Sequence, residues 1–380
     1  MHRTLEQHPY PLAFVADPGT PVVGAADGPP DRSRLRCEVM GLDQFQKEGL
    51  VTDLSTGRSW RLAADEGTYL RGTDLAPAPL MHWGAGLHAD VTSRIARAAR
   101  RRAIDLAGLR VTLDQGFGSQ GSFARGEAVG LVGELHWTVE VESAAPDEQI
   151  EAAMTEAFRR SPAQAALLEP AEGTFALYTN SRRTPVVGVP QSGVTMQVDP
   201  FRRHAAQPAP KDDTVSTHLL TRVPSSEVGT VGITDDQTGT VYWHVQVSGA
   251  YQSESRLIAS TMSAGASSWT LLSDETGRAA PSPLAYFSIG TAFCYHTQLC
   301  RYAKVRRMAV SKPRLVQSSG FHSDATASVA EPLDTHLYLD GPVTEAQTAS
   351  LLVAAANTCY AHRALSAKVV SSQQLATAVS

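Results

Sequence analysis

The chain repeats part of its own sequence at intervals of about 200 residues. Three pairs of segments match in the same order, with offsets of 209, 204 and 198 residues. The small drift between the offsets is what insertions and deletions in loops produce. A fixed period of this kind indicates a tandem duplication of one structural unit. The matched pairs are 60–66 with 269–275, 76–90 with 280–294, and 161–167 with 359–365.

The length agrees with two copies of one domain, because 380 residues correspond to two or three domains of ordinary size. Two segments rich in Pro, Gly and Asp interrupt the chain, one near the start and one near the midpoint. Such composition is typical of loops and linkers. We therefore expect an N-terminal extension at 1–35, a first domain at 36–180, a linker at 181–213 and a second domain at 214–380.

Each half is predicted to contain one long helix among strands. Ser282 followed by Pro283 is the pattern of a helix N-cap and first helical position, and it predicts a helix ending near Arg307. The first half has a corresponding helical pattern at 80–104. Strand patterns surround both helices, and the glycine-rich segment 116–121 is predicted to be a hairpin loop. The fold class is therefore α+β, with an antiparallel sheet and a long central helix in each half.

Charge and composition exclude several classes of protein. The net charge of −5 argues against a general nucleic-acid binder, which usually carries a basic excess. No apolar run reaches the length needed to cross a bilayer, so we expect no membrane partner. Only four cysteines occur in 380 residues, which favours a reducing, cytoplasmic compartment over a secreted disulfide framework.

Two of the four cysteines lie where they could act as a pair. Cys294 lies within the predicted long helix of the second half, and Cys359 lies near the end of the next helix, beside His362. A thiolate that attacks an oxidant becomes a sulfenic acid, which can condense with a second thiol to a disulfide. The alternative is a pair of buried hydrophobic cysteines, since free Cys is among the most buried residue types.

The motifs around these cysteines resemble those of the OsmC/Ohr family of thiol-dependent hydroperoxide reductases. They are a Pro283-Leu284 helix start, a small-residue helix that reaches Cys294, and the later segment 359–365. The resemblance covers about 255–370 and, more weakly, 44–170. It implies an intertwined α+β dimer with active sites between the subunits. A tandem chain could supply both halves itself, as an intramolecular pseudo-dimer.

The resemblance also implies roles for individual residues. Cys294 matches the peroxidatic cysteine of the family and Cys359 its resolving cysteine. The family holds the thiolate with an arginine in an early strand pair, and Arg256, nine residues before Gly265, is the best match. A guanidinium there would favour the charged form of the thiol. The implied chemistry needs no metal or organic cofactor, but it needs an external dithiol reductant.

The substrate pocket implied by the resemblance includes Leu284, Phe287 and His362. Leu284 stands where the family has a glutamate that orients the arginine, and a leucine cannot accept hydrogen bonds. Either another acid, such as Glu275 or Asp274, takes its place, or the peroxide chemistry is impaired or replaced.

The first half lacks the sulfur pair. Asp90 occupies the peroxidatic position, Ser161 the resolving position, and Lys47 the position of the arginine. We interpret this half as a structural partner for the second. The alternative is a metal or acid–base site built from His82, His88 and Asp90.

The leading hypothesis is a cysteine-dependent oxidoreductase that reduces an organic hydroperoxide or a related oxidised small molecule. One alternative is a divergent enzyme of specialised metabolism that uses Cys294 as a nucleophile toward an electrophile, or its apolar pocket as a reaction chamber. Another is a non-catalytic protein that binds a small molecule. The basic residues at 94–102 and 301–307 are interpreted as ordinary charge at helix C-termini.

Overall fold

Two helices of 23 residues, one from each half of the chain, form the centre of the structure. The computed structural model describes residues 4–7, 10–17, 32–208, 218–224, 233–235, 241–252, 256–264, 267–324 and 326–377. Its α-helices are α1 (Pro79–Arg101), α2 (Asp147–Arg159), α3 (Pro162–Leu168), α4 (Phe201–Ala206), α5 (Pro283–Val305), α6 (Glu345–Thr358) and α7 (Tyr360–Ser366), and two short 3-10 helices lie at Leu5–Gln7 and Thr68–Leu70.

The predicted start of the second long helix is confirmed. The Ser282 side chain accepts a hydrogen bond from the backbone N–H of Ala285 at 3.2 Å, and Pro283 is the first helical residue. Serine satisfies one of the free N–H groups at the helix start, and proline needs no hydrogen bond there. Local sequence therefore sets where α5 begins.

α1 and α5 pack against each other through a pair of glycines. A Cβ atom on Gly86 would lie 2.2 Å from the backbone nitrogen of Phe287, and one on Gly290 would lie 2.3 Å from that of Trp83. Neither position can carry a side chain unless the helices separate. These two glycines are also matched by the sequence repeat, so each helix uses a glycine at the equivalent position to approach the backbone of the other.

The strands of the described residues form two sheets. They are β1 (Ala13–Val15), β2 (Arg32–Gly41), β3 (Lys47–Asp53), β4 (Arg58–Ala64), β5 (Ala107–Gln120), β6 (Val129–Glu142), β7 (Thr174–Thr179), β8 (Arg182–Thr184), β9 (Leu220–Val223), β10 (Ile233–Asp235), β11 (Val241–Gln252), β12 (Leu257–Ala264), β13 (Ser267–Asp274), β14 (Ser311–Ser323), β15 (Ser328–Ala330), β16 (Asp334–Asp340) and β17 (Ser371–Thr377).

Each sheet combines strands from both halves of the chain. The first sheet has the order β1-β4-β3-β2-β14-β16-β7-β8, with β15 beside β14. The second has the order β17-β6-β5-β11-β12-β13-β9, with β10 beside β11. The α+β class is confirmed. The halves are joined through long antiparallel pairings, β2 with β14 and β5 with β11, and both long helices pack against the strands of these sheets.

The sheets differ in two respects from those expected from the sequence. Within the described residues, neither half forms a sheet from its own strands alone. In addition, the pairings of β7 with β16 and of β6 with β17 are parallel. Both parallel pairs join strands from different halves, so no short connection between them is required. Because the halves share sheets, each half pairs strand edges that would be unpaired if it folded alone.

Part of the segment expected to be a linker folds against the first sheet. β8 pairs with β7, and α4 brings His204 to β2, where its Nε2 lies 2.9 Å from the carbonyl oxygen of Glu38. Arg203 forms an ion pair with the carboxylate of Glu38. Residues 209–213 of this segment lie outside the described residues, as does most of the expected extension before 32. The described remainder of that extension contributes β1, which pairs with β4.

The expected hairpin loop at 116–121 is wrong. Residues 116–120 continue β5, and the turn begins at Gly121. The glycines here allow close backbone approach, because a Cβ on Gly133 of β6 would lie 3.0 Å from the carbonyl oxygen of Gly116. Glycine in this strand therefore marks close strand contact, which composition alone does not distinguish from a loop.

Candidate functional site

Cys294 and Cys359 lie against each other. Cys294 is on α5, and Cys359 occupies the junction between α6 and α7. The two side chains are close enough for Cys294 to affect the pKa of Cys359, and both are free thiols. Burial raises the pKa of Cys359 well above its ordinary value, and contact with Cys294 raises it further. The fold thus brings together the two cysteines that the sequence singled out.

Both thiols are buried, but they differ in their surroundings. Cys294 is 3% exposed and lines a partly open cavity of about 610 Å³, whereas Cys359 is 0% exposed. The lining of the cavity includes the apolar side chains of Leu70, Leu80 and Val245. A small molecule that enters the cavity therefore meets Cys294 first.

Glu66 of the first half reaches this cavity. The hydroxyl of Thr297 donates a hydrogen bond to its Oε1 at 2.6 Å, and the hydroxyl of Tyr69 donates to its Oε2 at 2.8 Å. Behind them, the Nζ of Lys47 donates to Thr297 at 2.9 Å and lies 4.0 Å from Glu66. The Lys47 side chain is 0% exposed, so the carboxylate has a buried counter-charge.

Arg301 lines the same cavity as Cys294. It follows Cys294 by seven residues, two turns of the helix, so both side chains lie on one face of α5. Its guanidinium carbon lies 3.7 Å from the centre of the Phe123 ring. Tyr360 lines the same cavity, and burial is the main cause that raises its pKa to about 12.

Arg301 was included among the basic residues interpreted as ordinary helix C-terminal charge. Its place inside the cavity corrects that interpretation for this residue. The sequence contained a usable signal, because Cys294, Thr297 and Arg301 recur at helical spacing along one face.

The structure does not bring Arg256 to the thiols. Arg256 is exposed in the turn between β11 and β12, and it is absent from the described residues that line the cavity of Cys294. Gly265, from which it was counted, lies outside the described residues. Arg301, which lines the cavity of Cys294, is the arginine placed to take the role expected of Arg256.

The three expected pocket residues lie in different places. Leu284 lines a separate cavity, which Asp90 of α1 also lines. The ring of Phe287 packs against that of Trp83, with the ring centres 5.4 Å apart. His362 contacts the second thiol: its Nδ1 lies 3.2 Å from the sulfur of Cys359. The cavity of Cys294 is lined instead by residues such as Tyr69 and Leu80 of the first half.

The acid at the cavity is Glu66, whereas the sequence suggested Glu275 or Asp274. Asp274 accepts hydrogen bonds from backbone N–H groups of the turn that follows it. Glu275 lines the separate cavity of the first half and pairs with Arg97. The repeat matches Glu66 to Glu275, so each acid faces the cavity of the opposite half. Sequence comparison within one half could not reveal this exchange.

Asp90 and Ser161, which replace the cysteine pair in the first half, are also in contact. The Asp90 Oδ2 accepts hydrogen bonds from the Ser161 hydroxyl at 2.6 Å and the backbone N–H of Ala163 at 3.1 Å. The Nε of Arg94 lies 3.5 Å from its Oδ1. Asp90 lines a cavity of about 630 Å³, partly open to solvent. In the first half, a hydrogen bond between the Ser161 hydroxyl and the Asp90 carboxylate therefore takes the place of the contact between the two thiols.

Asp90→Ala is expected to destabilise the protein by about 3 kcal/mol, because it leaves the Ser161 hydroxyl and the Ala163 N–H without their acceptor in a buried place. The free energy of unfolding in urea measures this. The matched control Asp105→Ala removes an exposed aspartate and should change stability by less than about 0.5 kcal/mol. Equal losses for both variants would contradict a structural role for Asp90.

The alternative site of His82, His88 and Asp90 does not assemble. His82 Nδ1 lies 3.2 Å from the carbonyl oxygen of Ala78, while His88 bonds to the Ser260 hydroxyl and the Val111 carbonyl. Burial lowers the pKa of both histidines to about 4. Within the described part of the chain, no group of three or more His, Cys, Asp and Glu side chains is arranged to hold a metal ion.

Comparisons with solved structures find a similarity to a protein of the same family that the sequence motifs suggested. The chain is similar to an OsmC-like hydroperoxide resistance protein from Jannaschia sp. CCS1, with 19% identity, 36% of this chain and 85% of that chain covered, and a TM-score of 0.22. No family model and no curated protein matches the chain. Of the helices in the described ranges, none is long and apolar enough to cross a membrane. What the chain does must therefore be inferred from the site itself.

Proposed function

We propose that the protein is a cysteine-dependent oxidoreductase that reduces an organic hydroperoxide through Cys294 and Cys359. The observation that carries the proposal is the contact between the two thiols, of which Cys294 lines an apolar cavity and Cys359 is buried behind it. This is the arrangement that an attacking thiol and a resolving thiol require. The motifs that resemble the OsmC/Ohr family support the same assignment.

The chemistry proceeds in two steps. The Cys294 thiolate attacks the terminal peroxide oxygen, so that an S–O bond forms, the O–O bond breaks and the leaving alkoxide takes a proton to become an alcohol. The sulfur of Cys359 then attacks the sulfenic acid. A disulfide forms, and the oxygen leaves as water with the proton of Cys359. An external dithiol returns the pair to thiols.

The cavity supplies what the first step needs. Arg301 brings a positive charge to the cavity of Cys294, and nearby cations favour a thiolate. Gln298 also lines this cavity, and in the described part of the chain its buried Oε1 has no hydrogen-bond partner. Leu70, Leu80 and Val245 offer an apolar surface to the organic group.

The two halves form one functional unit in this proposal. Glu66 of the first half lines the cavity of Cys294 in the second, and Lys47 of the first half donates to Thr297 beside it, as expected of a fused pair of OsmC-like domains that acts as its own dimer partner. The first half then serves as the structural partner that completes one active site.

The test combines hydroperoxide consumption with mass spectrometry of the cysteines. Reduced protein treated with cumene hydroperoxide and a dithiol should consume peroxide and accumulate a Cys294–Cys359 disulfide when the dithiol is exhausted. Cys294→Ser should abolish consumption, while Cys359→Ser should stop at a sulfenic acid on Cys294 that dimedone traps. Cys37→Ser, which changes a buried cysteine on β2, is the matched control and should retain activity.

Two results would overturn the proposal. One is a reduced protein that consumes no organic hydroperoxide and keeps the two thiols unlinked. The other is covalent capture of an electrophile by Cys294 at a rate that Cys359→Ser does not change, which would indicate nucleophilic chemistry without a resolving step.

A further inference from the structure

We propose that His362 is a catalytic hydrogen-bond donor to the sulfur of Cys359, and that it speeds reduction of the Cys294–Cys359 disulfide by stabilising Cys359 as the leaving group. The inference rests on the proposed function for the disulfide itself. It adds a residue to which neither the sequence nor the family resemblance gave this role.

The direction of the hydrogen bonds follows from Gln317. Its side-chain Nε2 donates to the Thr335 hydroxyl at 3.1 Å and lies 3.0 Å from the Nε2 of His362. In this orientation of the amide the nitrogen donates and the Nε2 of His362 accepts, which leaves the Oε1 of Gln317 buried without a hydrogen-bond partner among the described residues. The ring hydrogen of neutral His362 must then be on Nδ1, which lies 3.2 Å from the sulfur of Cys359.

The surroundings keep the ring in this form. Burial lowers the pKa of His362 to about 3, so the ring is neutral and carries a single N–H. Tyr295 and Phe175 pack against it, with ring centres 4.6 and 6.1 Å away. The imidazole is therefore held in one orientation, with its N–H directed at the sulfur.

This geometry matters in the reductive step. A thiolate of the external dithiol attacks the sulfur of Cys294, a new S–S bond forms, and the Cys294–Cys359 bond breaks with its electron pair on Cys359. The Nδ1–H of His362 donates to the sulfur that gains this charge. The second thiol of the dithiol then gives its proton to Cys359 and, as a thiolate, displaces Cys294. A better-stabilised leaving thiolate departs faster.

A second cleft, lined by described residues that do not include Cys294, gives access to the histidine. His362 lines a cleft of about 620 Å³ together with Phe175, Asn357 and Arg363. Removing the imidazole would leave a hole that is continuous with this cleft. Free imidazole could enter that hole from solution.

The experiment measures disulfide reduction directly. The disulfide is installed with diamide, without peroxide, and its reduction by dithiothreitol is followed by quenching and mass spectrometry. His362→Ala should slow reduction about 10- to 100-fold, the range for a hydrogen bond to a charged group. Millimolar imidazole should restore much of the rate. Asn357→Ala, in the same cleft, should stay within about twofold of the wild type.

Because the disulfide is installed by diamide, the result does not depend on peroxide activity. If His362→Ala does not fold, Gln317→Leu provides the second variant, which frees the ring to place its hydrogen on either nitrogen and should slow reduction several-fold. The proposal is overturned if the disulfide of His362→Ala is reduced as fast as that of the wild type, or if added imidazole does not raise its rate of reduction. It is also overturned if Gln317→Leu leaves the rate of reduction unchanged. Failure of diamide to link Cys294 to Cys359 would overturn both proposals.

Discussion

Arg301→Met is expected to slow oxidation of Cys294 by an organic hydroperoxide about 10²- to 10³-fold, the loss typical of removing one charge-stabilising group from an active site. The nucleophile is the thiolate, and Arg301 brings a guanidinium into the cavity that Cys294 lines. Methionine keeps an unbranched side chain that can pack against Phe123 but removes the charge. The second-order rate constant for sulfenic acid formation measures the effect.

Arg256→Met is the matched control for this prediction. Arg256 is the arginine that the sequence favoured, but it is exposed in the turn before β12. Its replacement should change the rate constant by less than about twofold. The opposite pattern, a slow Arg256→Met variant and a normal Arg301→Met variant, would restore the original assignment and remove Arg301 from the site.

Lys47→Met is expected to destabilise the protein by about 3 to 5 kcal/mol, because it leaves the carboxylate of Glu66 buried without its counter-charge. Lys47 is fully buried, 4.0 Å from Glu66, and donates to Thr297, whose hydroxyl in turn bonds the carboxylate. The shift of the urea unfolding transition measures the loss.

Two further variants identify the cause of that loss. Adding Glu66→Gln to Lys47→Met removes the unpaired negative charge of the carboxylate and should recover more than half of the lost free energy of unfolding. Lys368→Met removes an exposed lysine and should change stability by less than about 0.5 kcal/mol. If the double variant is no more stable than Lys47→Met alone, the lysine contributes through packing and not through charge.

The sequence by itself determined the features that depend on neighbouring residues. The start of α5 follows from Ser282 and Pro283, and the repeat placed the equivalent helix in the first half, where α1 begins at Pro79. Helix capping and helical periodicity involve residues a few positions apart, so they are visible along the chain. The pairing of Cys294 with Cys359 came from a family resemblance and not from any local rule.

The tertiary structure alone decided which residues surround the thiols. The pairing of strand edges depends on residues far apart in the sequence, because it is set by burial and by the hydrogen bonds that each edge can complete. Here β2 pairs with β14 and β5 with β11, so strands of the two halves are exchanged. In this arrangement Glu66 lines the cavity of Cys294, Lys47 is buried 4.0 Å from Glu66, and Arg256 lies in an exposed turn. No spacing along the chain encodes it, because these contacts join residues more than 200 positions apart.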